Sequence, residues 1–326
     1  MNGNRTNFFV VNTPFQMMVV QTLVKEFFYN DKNYIVSTIP EVSNLAISNL
    51  KMVFIRRNLL SLIDLVSFKI KLNYSIKKSS KTSFFVPHLN NLLSSYLYKR
   101  VIKNSNCSMN CYYEGIALFY DPEVHLSSAT LLKRRVMSIL SGHIYKHHSK
   151  LFPVSFRKIS TAYSPILKYT TGFLETIQFN FENGNLSTNQ SKDIVILGSP
   201  LKTISSLKHQ KSLMDNLFES APKIAQAKYF FKPHYESEKD LVVQLLKEIP
   251  NMIVLDKNIP VEKLIIKKNI AYIVAIHPSS ALINLKLMFR DSVSVSVLSW
   301  HNLANELVVL FKGLGVEEFR QIVRKN

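Results

Sequence analysis

The sequence contains only two cysteines, Cys107 and Cys111, among its 326 residues. Two thiols cannot build the disulfide framework of a small secreted protein. The Cys-x-x-x-Cys spacing has no second pair nearby, so it indicates two ordinary thiols rather than a metal site. We therefore expect neither structural disulfides nor a bound metal.

Long apolar runs are also missing. No stretch reaches the roughly 18 consecutive apolar residues that a membrane-spanning helix requires. The N-terminus lacks the charged region, apolar core and cleavage site of a signal peptide, so we expect a soluble, cytoplasmic protein. The fingerprints G-x-G-x-x-G and G-x-x-x-x-G-K-[ST] do not occur either, which argues against a dinucleotide-binding or P-loop protein.

Acidic residues are few. The chain has 22 Asp and Glu against 41 Lys and Arg, a net charge of +19, which favours anionic partners such as nucleic acid, membrane phosphate and sugar nucleotides. The basic residues cluster in the first half, at Arg56-Arg57, Lys69–Lys81, Lys133–Arg135 and Lys146–Lys158. This pattern predicts peripheral contact with the inner face of an anionic membrane, at about 1 kcal/mol per basic residue. A solvated basic surface is the alternative.

Nucleic-acid binding is the function of another class that the charge suggests. It requires a recognition helix, an aromatic pair for stacking bases or a zinc site, and the sequence contains none of these. We therefore expect no nucleic-acid partner.

Length and periodicity predict two α/β domains, since a domain usually has roughly 100–200 residues. A buried strand at Asn7–Val11 precedes the breaker Asn12-Thr13-Pro14 and a helix at Phe15–Phe28, the pattern of a parallel α/β unit. Further predicted elements of the first half include strands at Tyr34–Ser37 and Lys51–Phe54, helices at Leu59–Phe68 and Leu89–Lys103, and a basic helix with small breaks at 126–150.

The second half has the clearer pattern of a doubly wound parallel sheet, in which strands alternate with helices of about 10–15 residues. Its predicted strands are Ile194–Leu197, Lys228–Lys232, Met252–Leu255 and Ala271–Ile276. The polar stretch Glu182–Asp193 indicates a linker. We therefore predict an N-terminal domain at 1–186 and a C-terminal domain at 187–326, with the last helix packing back on the first domain.

Polar residues follow three predicted strands, where ligands bind in parallel α/β sheets. Lys232 and His234 come directly after the apolar strand residues Tyr229–Phe231, and a lysine beside a histidine suits a phosphate or a leaving group. His277, Ser279 and Ser280 precede a helix. Hydroxyls and amides at a helix N-terminus can bind phosphate, although helix capping is the alternative for either serine.

The third strand end carries Glu114-Gly115. A glycine after the acid permits a sharp turn that holds the carboxylate where it can deprotonate an acceptor hydroxyl. An acid-Gly motif in the first half, followed by Lys-x-His and a Ser-Ser pair in the second, is an ordered set of motifs.

In this order the motifs resemble those of bacterial sialyltransferases of glycosyltransferase family 52, which act on lipooligosaccharide and capsule, and of the related polysialyltransferases. The opening FFVVNTPFQMMVV, the segment ILGSPL and the segment IPVEKL are also similar to family 52. The resemblance spans nearly the whole chain. It implies a GT-B fold, in which two Rossmann-like lobes face each other across a cleft, and an inverting, metal-independent mechanism.

The resemblance also implies roles for individual residues. Glu114 corresponds to the second acid of the family motif and His234 to its histidine, which makes both candidates for catalysis. Ser279 and Ser280 correspond to the hydroxyls that bind the donor phosphate. The sequence departs from the motifs at Tyr113, where an acid is expected, so the base is Glu114 or a residue elsewhere. Tyr235 replaces the proline after the histidine.

Other candidates complete the predicted site. Lys232, His277 and Gly198 join the serines on the donor side. Glu262 is a candidate for binding the donor's ribose or base, with a helix-dipole acid as the equal alternative. The turn residues Asn12, Thr13 and Gln16 are the acceptor-side candidates.

The resemblance thus implies an inverting glycosyltransferase that moves sialic acid from CMP-sialic acid to a terminal sugar of a bacterial lipooligosaccharide, O-antigen or capsule. Galactose is the terminal sugar that we expect. No cofactor is expected, and a homodimer is allowed. Besides the nucleic-acid-binding protein, two alternatives stay open. One is a transferase of the same fold that uses another nucleotide sugar, such as a glucosyltransferase. The other is a transferase-like protein without activity, which Tyr113 suggests.

Overall fold

The structure is a computed structural model that describes residues 5–37, 50–55, 61–79, 81–119, 123–140, 144–168, 170, 172–181, 186, 191–220, 227–249, 252–298, 300 and 303–319. The chain divides into two compact units, Met1–Phe181 and Glu182–Asn326. Each unit contains a parallel β-sheet with helices, so the predicted α/β class is confirmed. Within the described ranges, no helix has both the length and the apolarity to cross a membrane.

The first unit has seven strands. These are β1 (Arg5–Val11), β2 (Lys32–Ser37), β3 (Leu50–Phe54), β4 (Lys81–Val86), β5 (Cys107–Tyr112), β6 (Ser160–Ser164) and β7 (Glu175–Gln178). Its helices are α1 (Pro14–Phe27), α2 (Ser61–Lys78), α3 (Leu92–Ile102), α4 (Ser128–Leu140) and α5 (Val154–Arg157), with a 3-10 turn at Ile116–Leu118.

The strands of this unit pair in the order β3-β2-β1-β4-β5-β6-β7, and all pairs are parallel. The central strand β1 is buried on both faces after its first residue, as expected for a strand covered by helices on each side. The ring of Phe9 stacks on that of Phe85 at a centroid distance of 4.4 Å, so aromatic packing joins the two strands at the middle of the sheet.

Helix α1 begins where the sequence places its signals. Pro14 occupies the first turn, and the Thr13 hydroxyl accepts a hydrogen bond from the Gln16 amide at 3.1 Å. Proline at the first helical position lacks an N–H that would be unsatisfied there anyway, and threonine is a favoured N-cap. The turn after β1 is therefore fixed by its own residues.

The second unit has six strands, β8 (Ser191–Leu197), β9 (Tyr229–Lys232), β10 (Met252–Val254), β11 (Ile270–Ala275), β12 (Ser294–Val297) and β13 (Glu317–Glu318). Its helices are α6 (Ile204–Ser220), α7 (Lys239–Glu248), α8 (Val261–Lys268), α9 (Ser280–Phe289) and α10 (Asn305–Gly313), with a 3-10 turn at Arg290–Ser292. The strand order is β10-β9-β8-β11-β12-β13, again all parallel.

Two predictions of local structure are wrong in part. The predicted linker Glu182–Asp193 is wrong at its end, because Ser191–Asp193 form the start of β8, where Asp193 Oδ1 accepts the Lys228 amide at 3.0 Å. Apart from Leu186, the rest of the linker lies outside the described residues, as do Arg56 and Arg57.

The predicted helix at 126–150 is too long, because α4 ends at Leu140. The Ser138 hydroxyl donates to the Arg135 carbonyl at 2.7 Å and accepts from the Tyr145 amide at 2.9 Å. Tyr145 thus folds back to the end of the helix, and residues 144–150 are not helical.

Candidate active site

The loops of the first unit that carry candidate residues follow neighbouring strands. Chain order reverses between β1 and β4, since β2 and β3 lie on one side of β1 while β4 and β5 lie on the other. Ligands of open α/β sheets bind beyond the carboxyl ends of the strands at such a switch point. Asn12 follows β1, His88 follows β4 and Glu114 follows β5, so the three loops meet there.

Gln16 joins these loops. Its Oε1 accepts the backbone amide of Asn12 at 2.6 Å, and its Nε2 donates to Glu114 Oε2 at 3.1 Å. The Tyr112 hydroxyl lies 3.5 Å from the same Oε1 and also donates to the Val10 carbonyl. Gln16 is buried, so its amide is held in one orientation. The structure therefore brings together three of the predicted residues, Asn12, Gln16 and Glu114, while Thr13 caps the helix that carries Gln16.

The Glu114 carboxyl is held in a nearly closed environment. Its side chain is 12% exposed, and burial raises its pKa, while His88 and the Gln16 hydrogen bond oppose that shift. A carboxyl with a raised pKa is a stronger base than an ordinary glutamate. The next residue, Gly115, has φ 121°, a conformation that other residues rarely adopt, so the turn that positions Glu114 requires glycine.

His88 is a member of this site that the sequence did not reveal. Its Nε2 lies 3.9 Å from Glu114 Oε2, and its Nδ1 accepts the Asn90 amide at 3.0 Å. A nitrogen that accepts a hydrogen bond carries no proton, so the neutral ring has its hydrogen on Nε2. This N–H faces the Glu114 carboxylate. The sequence signal that could have identified His88 is the apolar run Phe84–Val86 followed by Pro87-His88. It marks a strand end like those before Glu114 and His234.

Tyr113 points away from this cluster. Its side chain is fully buried, with ring centroids of Phe15, Phe119 and Phe181 between 5.5 and 6.2 Å away. An acid at this position would place a charge inside an aromatic cluster, which is costly. The structure therefore explains why position 113 carries no acid here, and Glu114 remains the carboxylate of this turn.

In the second unit the switch point lies between β8 and β11. Gly198 follows β8, His234 follows β9 and His277 follows β11, so the predicted donor-side residues share one edge of the sheet. Gly198 itself has a packing role, because a Cβ there would lie 2.7 Å from the Phe231 ring. Its amide donates to the Lys232 carbonyl at 3.0 Å.

The ammonium group of Lys232 bonds within the protein. Nζ donates to the carbonyls of Lys257 at 2.8 Å and Pro233 at 3.3 Å. Burial lowers the pKa of Lys232 to about 8, against the opposing charges of Asp256 and Glu262. In this conformation the residue ties the loops after β9 and β10 together rather than presenting a free cation.

His234 offers a hydrogen-bond donor at the edge of the sheet. Its Nδ1 accepts the Glu236 amide at 3.3 Å, so the neutral ring carries its hydrogen on Nε2. Burial lowers the pKa of His234, with further lowering by Lys202 and Lys232, while Glu236 acts the other way. The neutral form is therefore the form present near pH 7. The adjacent Tyr235 ring lies 4.5 Å away and is exposed.

The serines stand at the start of α9. Ser279 is the N-cap residue by its backbone, yet its side chain makes no capping hydrogen bond within the described chain. Its hydroxyl is therefore not used for the capping role that was the alternative. Next to it, His277 stacks on His209 at 5.6 Å. Desolvation, followed by His209, lowers the pKa of His277. No sequence pattern singles out His209 as a site residue.

Glu262 is buried in the first turn of α8. Its Oε1 accepts Asn284 Nδ2 at 3.0 Å, which links α8 to α9, and burial raises the pKa of the carboxyl against the hydrogen bonds that it accepts. The side chain thus has a role inside the fold. Among the described residues, no group of three His, Cys, Asp or Glu is arranged to hold a metal ion.

A cavity of about 580 Å³ lies elsewhere in the first unit. It opens at the amino ends of β1 to β3, where it is lined by Asp31, Lys32, Lys51 and Lys78 among others. This edge is opposite to the one that carries Glu114. Volume alone therefore does not mark the reacting edge of this sheet, and the convergent polar groups at the switch point are the better guide.

Comparison with known proteins agrees with this architecture. The family model for alpha-2,8-polysialyltransferase (POLYST) matches residues 7–298. No curated protein matched the sequence. The match supports the resemblance to polysialyltransferases, while assignment to glycosyltransferase family 52 remains a prediction.

Several solved structures share the fold. The S. aureus MnaA–UDP co-structure has 11% identity and a TM-score of 0.57, covering 98% of this chain and 86% of that chain. Phytolacca americana UGT2 complexed with UDP-2fluoro-glucose and pterostilbene has 10% identity and a TM-score of 0.54, covering 98% and 89%. A putative UDP-N-acetylglucosamine 2-epimerase from Listeria monocytogenes has 8% identity and a TM-score of 0.52, covering 92% and 80%. Identities this low show the fold alone, which is of the GT-B type.

Proposed function

We propose that this chain, which belongs to the alpha-2,8-polysialyltransferase family, moves sialic acid from CMP-sialic acid to the terminal sugar of a bacterial surface glycan. The family and the fold make it a glycosyltransferase. The donor, the acceptor and the residue roles below are our proposal. The observation that carries it is the Glu114 carboxylate, held by Gln16 and faced by His88 at the switch point of the first sheet.

The reaction needs a base on the acceptor side. Glu114 removes the proton from an acceptor hydroxyl, whose oxygen forms a bond to the anomeric carbon of sialic acid. The bond from that carbon to the phosphate oxygen breaks, and CMP leaves with the electron pair. Because the attack and the departure occur on opposite sides of the carbon, the configuration inverts. The sugar–phosphate bond is already activated, so we propose that no metal is required.

On the donor side, charge develops on the departing phosphate and must be stabilised. His234 is neutral near pH 7, so it contributes an Nε2–H hydrogen bond rather than a proton. Ser279 and Ser280 contribute the N-terminus of α9, where hydroxyls and amides favour an anion. Lys232 acts through the loop that it holds.

Two terminal sugars are candidates for the acceptor. Galactose is the terminal sugar predicted from the sequence. The name of the family supports a chain that already ends in sialic acid. Both acceptors therefore belong in the assay, and the capsule, lipooligosaccharide and O-antigen are the surface glycans that would carry them.

A second candidate function is transfer from a UDP-sugar. The observation that favours it is that structural relatives are complexed with UDP or UDP-2fluoro-glucose. Calorimetric titration with CMP and with UDP compares the two affinities and separates the two donors. Tighter binding of UDP would leave the fold and the base intact and would overturn the sialic acid proposal.

The deciding experiment measures CMP release from CMP-sialic acid in the presence of EDTA, with galactose-terminated and sialic-acid-terminated acceptors. We expect Glu114→Gln to lose about 10²- to 10⁴-fold in turnover, because it removes the general base. Glu26→Gln, an exposed change on α1 of the same unit, is the control and should retain wild-type turnover. Equal activity of the two variants would refute the role of Glu114.

The donor-side role is tested by two changes at one position. His234→Ala should reduce turnover, while His234→Gln should recover part of it, because the glutamine amide can replace the Nε2–H donor. If His234 instead transferred a proton, glutamine would not restore turnover. Absence of recovery in His234→Gln would therefore contradict the hydrogen-bond role.

A further inference from the structure

Helix α2 carries two apolar stripes on opposite sides. One stripe packs into the first unit through Leu65, Phe68, Leu72 and Ile76, which are all buried. The other stripe contains Ile63, Val66, Ile70 and Tyr74, of which Ile63, Ile70 and Tyr74 are more than 60% exposed. Residues at spacings of three and four lie on one face of a helix, so the second stripe is continuous. The fold of the described chain does not use it.

Helix α4 repeats this arrangement. Its exposed apolar residues are Leu132, Val136, Ile139 and Leu140, at spacings of four, three and one. Lys133 and Arg135 lie on the two flanks of this stripe by helical geometry, and both are exposed. The opposite side of α4 is attached to the unit by Arg134, whose Nη1 donates to the Asn90 carbonyl and to the Tyr145 hydroxyl at 2.9 Å.

Both stripes belong to the same side of the sheet. The connections from β3 to β4, from β4 to β5 and from β5 to β6 all run in one direction across the sheet. Right-handed crossovers therefore place α2, α3 and α4 on one face. Contacts agree, because Arg100 of α3 donates to Asn73 of α2, and Arg134 of α4 reaches Asn90 beside the start of α3.

This face is strongly basic. Helices α2, α3 and α4 carry nine Lys or Arg residues and one acid, Asp64. The ammonium of Lys69 is buried and Arg134 bonds towards the unit, which leaves seven basic residues for this face. Exposed apolar stripes with basic flanks are the chemistry of helices that lie in the interface of an anionic bilayer. A protein partner with a matching apolar ridge would not require the excess of cations, whereas a surface of lipid phosphates does.

We propose that the α2/α4 surface, defined by Ile63, Val66, Ile70, Tyr74, Leu132, Val136, Ile139 and Leu140, docks the protein on an anionic lipid bilayer. The apolar side chains enter the boundary between headgroups and acyl chains, and the flanking Lys and Arg contact lipid phosphate. This inference is independent of the donor and of Glu114. It names the surface that would account for the peripheral membrane contact predicted from charge.

The test is flotation of the purified full chain with vesicles of phosphatidylethanolamine and phosphatidylglycerol, compared with vesicles of phosphatidylcholine. We expect binding to the anionic vesicles that weakens as salt is raised. The variant Ile70→Ser/Ile139→Ser should lose at least about tenfold in partitioning, because each change removes one apolar side chain from a stripe. Lys133→Glu/Arg135→Glu should lose binding at low salt.

The matched control is Ile204→Ser/Val309→Ser, which changes two side chains of the second unit that are each 60% exposed. It should float like the wild type, and circular dichroism should show that every variant is folded. Failure of the wild type to bind anionic vesicles would overturn the proposal, as would equal binding by the stripe variant. The proposal would also be overturned if vesicles are not bound and light scattering shows a dimer that the stripe variant loses. The occupant of the surface would then be a second copy of the chain.

Turnover with a soluble acceptor separates this proposal from the proposed function. The stripe variant should retain wild-type turnover while it loses vesicle binding. Absence of turnover from CMP-sialic acid in the wild type, with vesicle binding intact, would overturn the proposed donor and leave the surface standing.

Discussion

The Nε2 of His88 lies 3.9 Å from Oε2 of Glu114, and the hydrogen on that nitrogen faces the carboxylate. The two residues come from loops after adjacent strands, β4 and β5. At this distance the two groups interact through charge rather than through a hydrogen bond. A positive charge on the imidazole favours the ionised carboxyl, so His88 counteracts the raised pKa that burial gives to Glu114. His88 is therefore a positioning residue for the proposed base, and its contribution can be measured.

Replacing His88 by leucine should raise the pKa of Glu114 further. Because the base must be ionised, the acidic limb of the pH profile of kcat/KM should move to higher pH, with a severalfold loss of rate below that limb. The profile from pH 5 to 8 provides the measurement. His125→Leu, which removes an exposed histidine of the same unit, should leave the limb in place. An unmoved limb in His88→Leu would show that the two side chains are not coupled.

Glu114 should also make stability depend on pH. Its pKa is raised in the folded protein, so the stability contributed by the protonated carboxyl is present below the unfolded pKa and is lost as pH rises through the folded pKa. Glutamine mimics the protonated form at every pH. Glu114→Gln should therefore unfold at a higher Tm than the wild type at pH 8, and the difference should vanish near pH 4. A constant difference would contradict the raised pKa.

The two types of helix N-cap allow a comparison within one chain. Asn91 accepts the Ser94 amide at 2.6 Å, whereas the Ser279 side chain makes no capping bond to a described amide of α9. Asn91→Ala should cost about 1 kcal/mol of unfolding free energy. Ser279→Ala should cost less than about 0.5 kcal/mol while raising the KM of the donor. Denaturant titration and donor kinetics measure both effects, and an equal stability loss would return Ser279 to a capping role.

Lys232 should give a pH dependence of the opposite kind. Its folded pKa of about 8 lies below the usual 10.5, so the unfolded chain binds more protons between these values and stability rises with pH across them. Relative to Lys232→Met, the wild type should gain stability between pH 8 and 10.5, by at most about 3 kcal/mol. Urea unfolding of both proteins at each pH gives the difference. A flat difference would mean that the ammonium is not desolvated.

Sequence patterns predicted the second unit well because its first four strands are apolar and its helices have clear start signals. Helix α9, for example, begins at Ser280, within one residue of the start that the sequence indicates after the Ser-Ser pair. The site residues Lys232 and His234 were found because they directly follow one of these apolar strands. The hydrogen-bond partners of these side chains could not be predicted from the sequence. The Lys257 carbonyl, which accepts from Lys232, is 25 residues away in the chain.

The first unit was harder to predict because several of its strands contain polar or charged residues. Strand β4 begins with Lys81, and β6 and β7 are short, with hydroxyl and charged residues. Because β4 was not predicted, His88 was not recognised as a residue that follows a strand. Its partner Glu114 is also distant in sequence. The length of α4 was overestimated because a single hydroxyl, that of Ser138, brings Tyr145 back to the helix end.

The fixed amide of Gln16 makes the two oxygens of one carboxylate unequal. Its Oε1 is committed to the Asn12 amide, so its Nε2 must face Glu114, and the described contacts of Glu114 with Gln16 and His88 both fall on Oε2. If Glu114 is the base that we propose, we expect the proton taken from a substrate on Oε1, the oxygen that faces neither Gln16 nor His88. The orientation of one buried amide thus determines which oxygen of the carboxylate is open to a substrate proton. A reversed Gln16 side chain would remove this difference between the two oxygens.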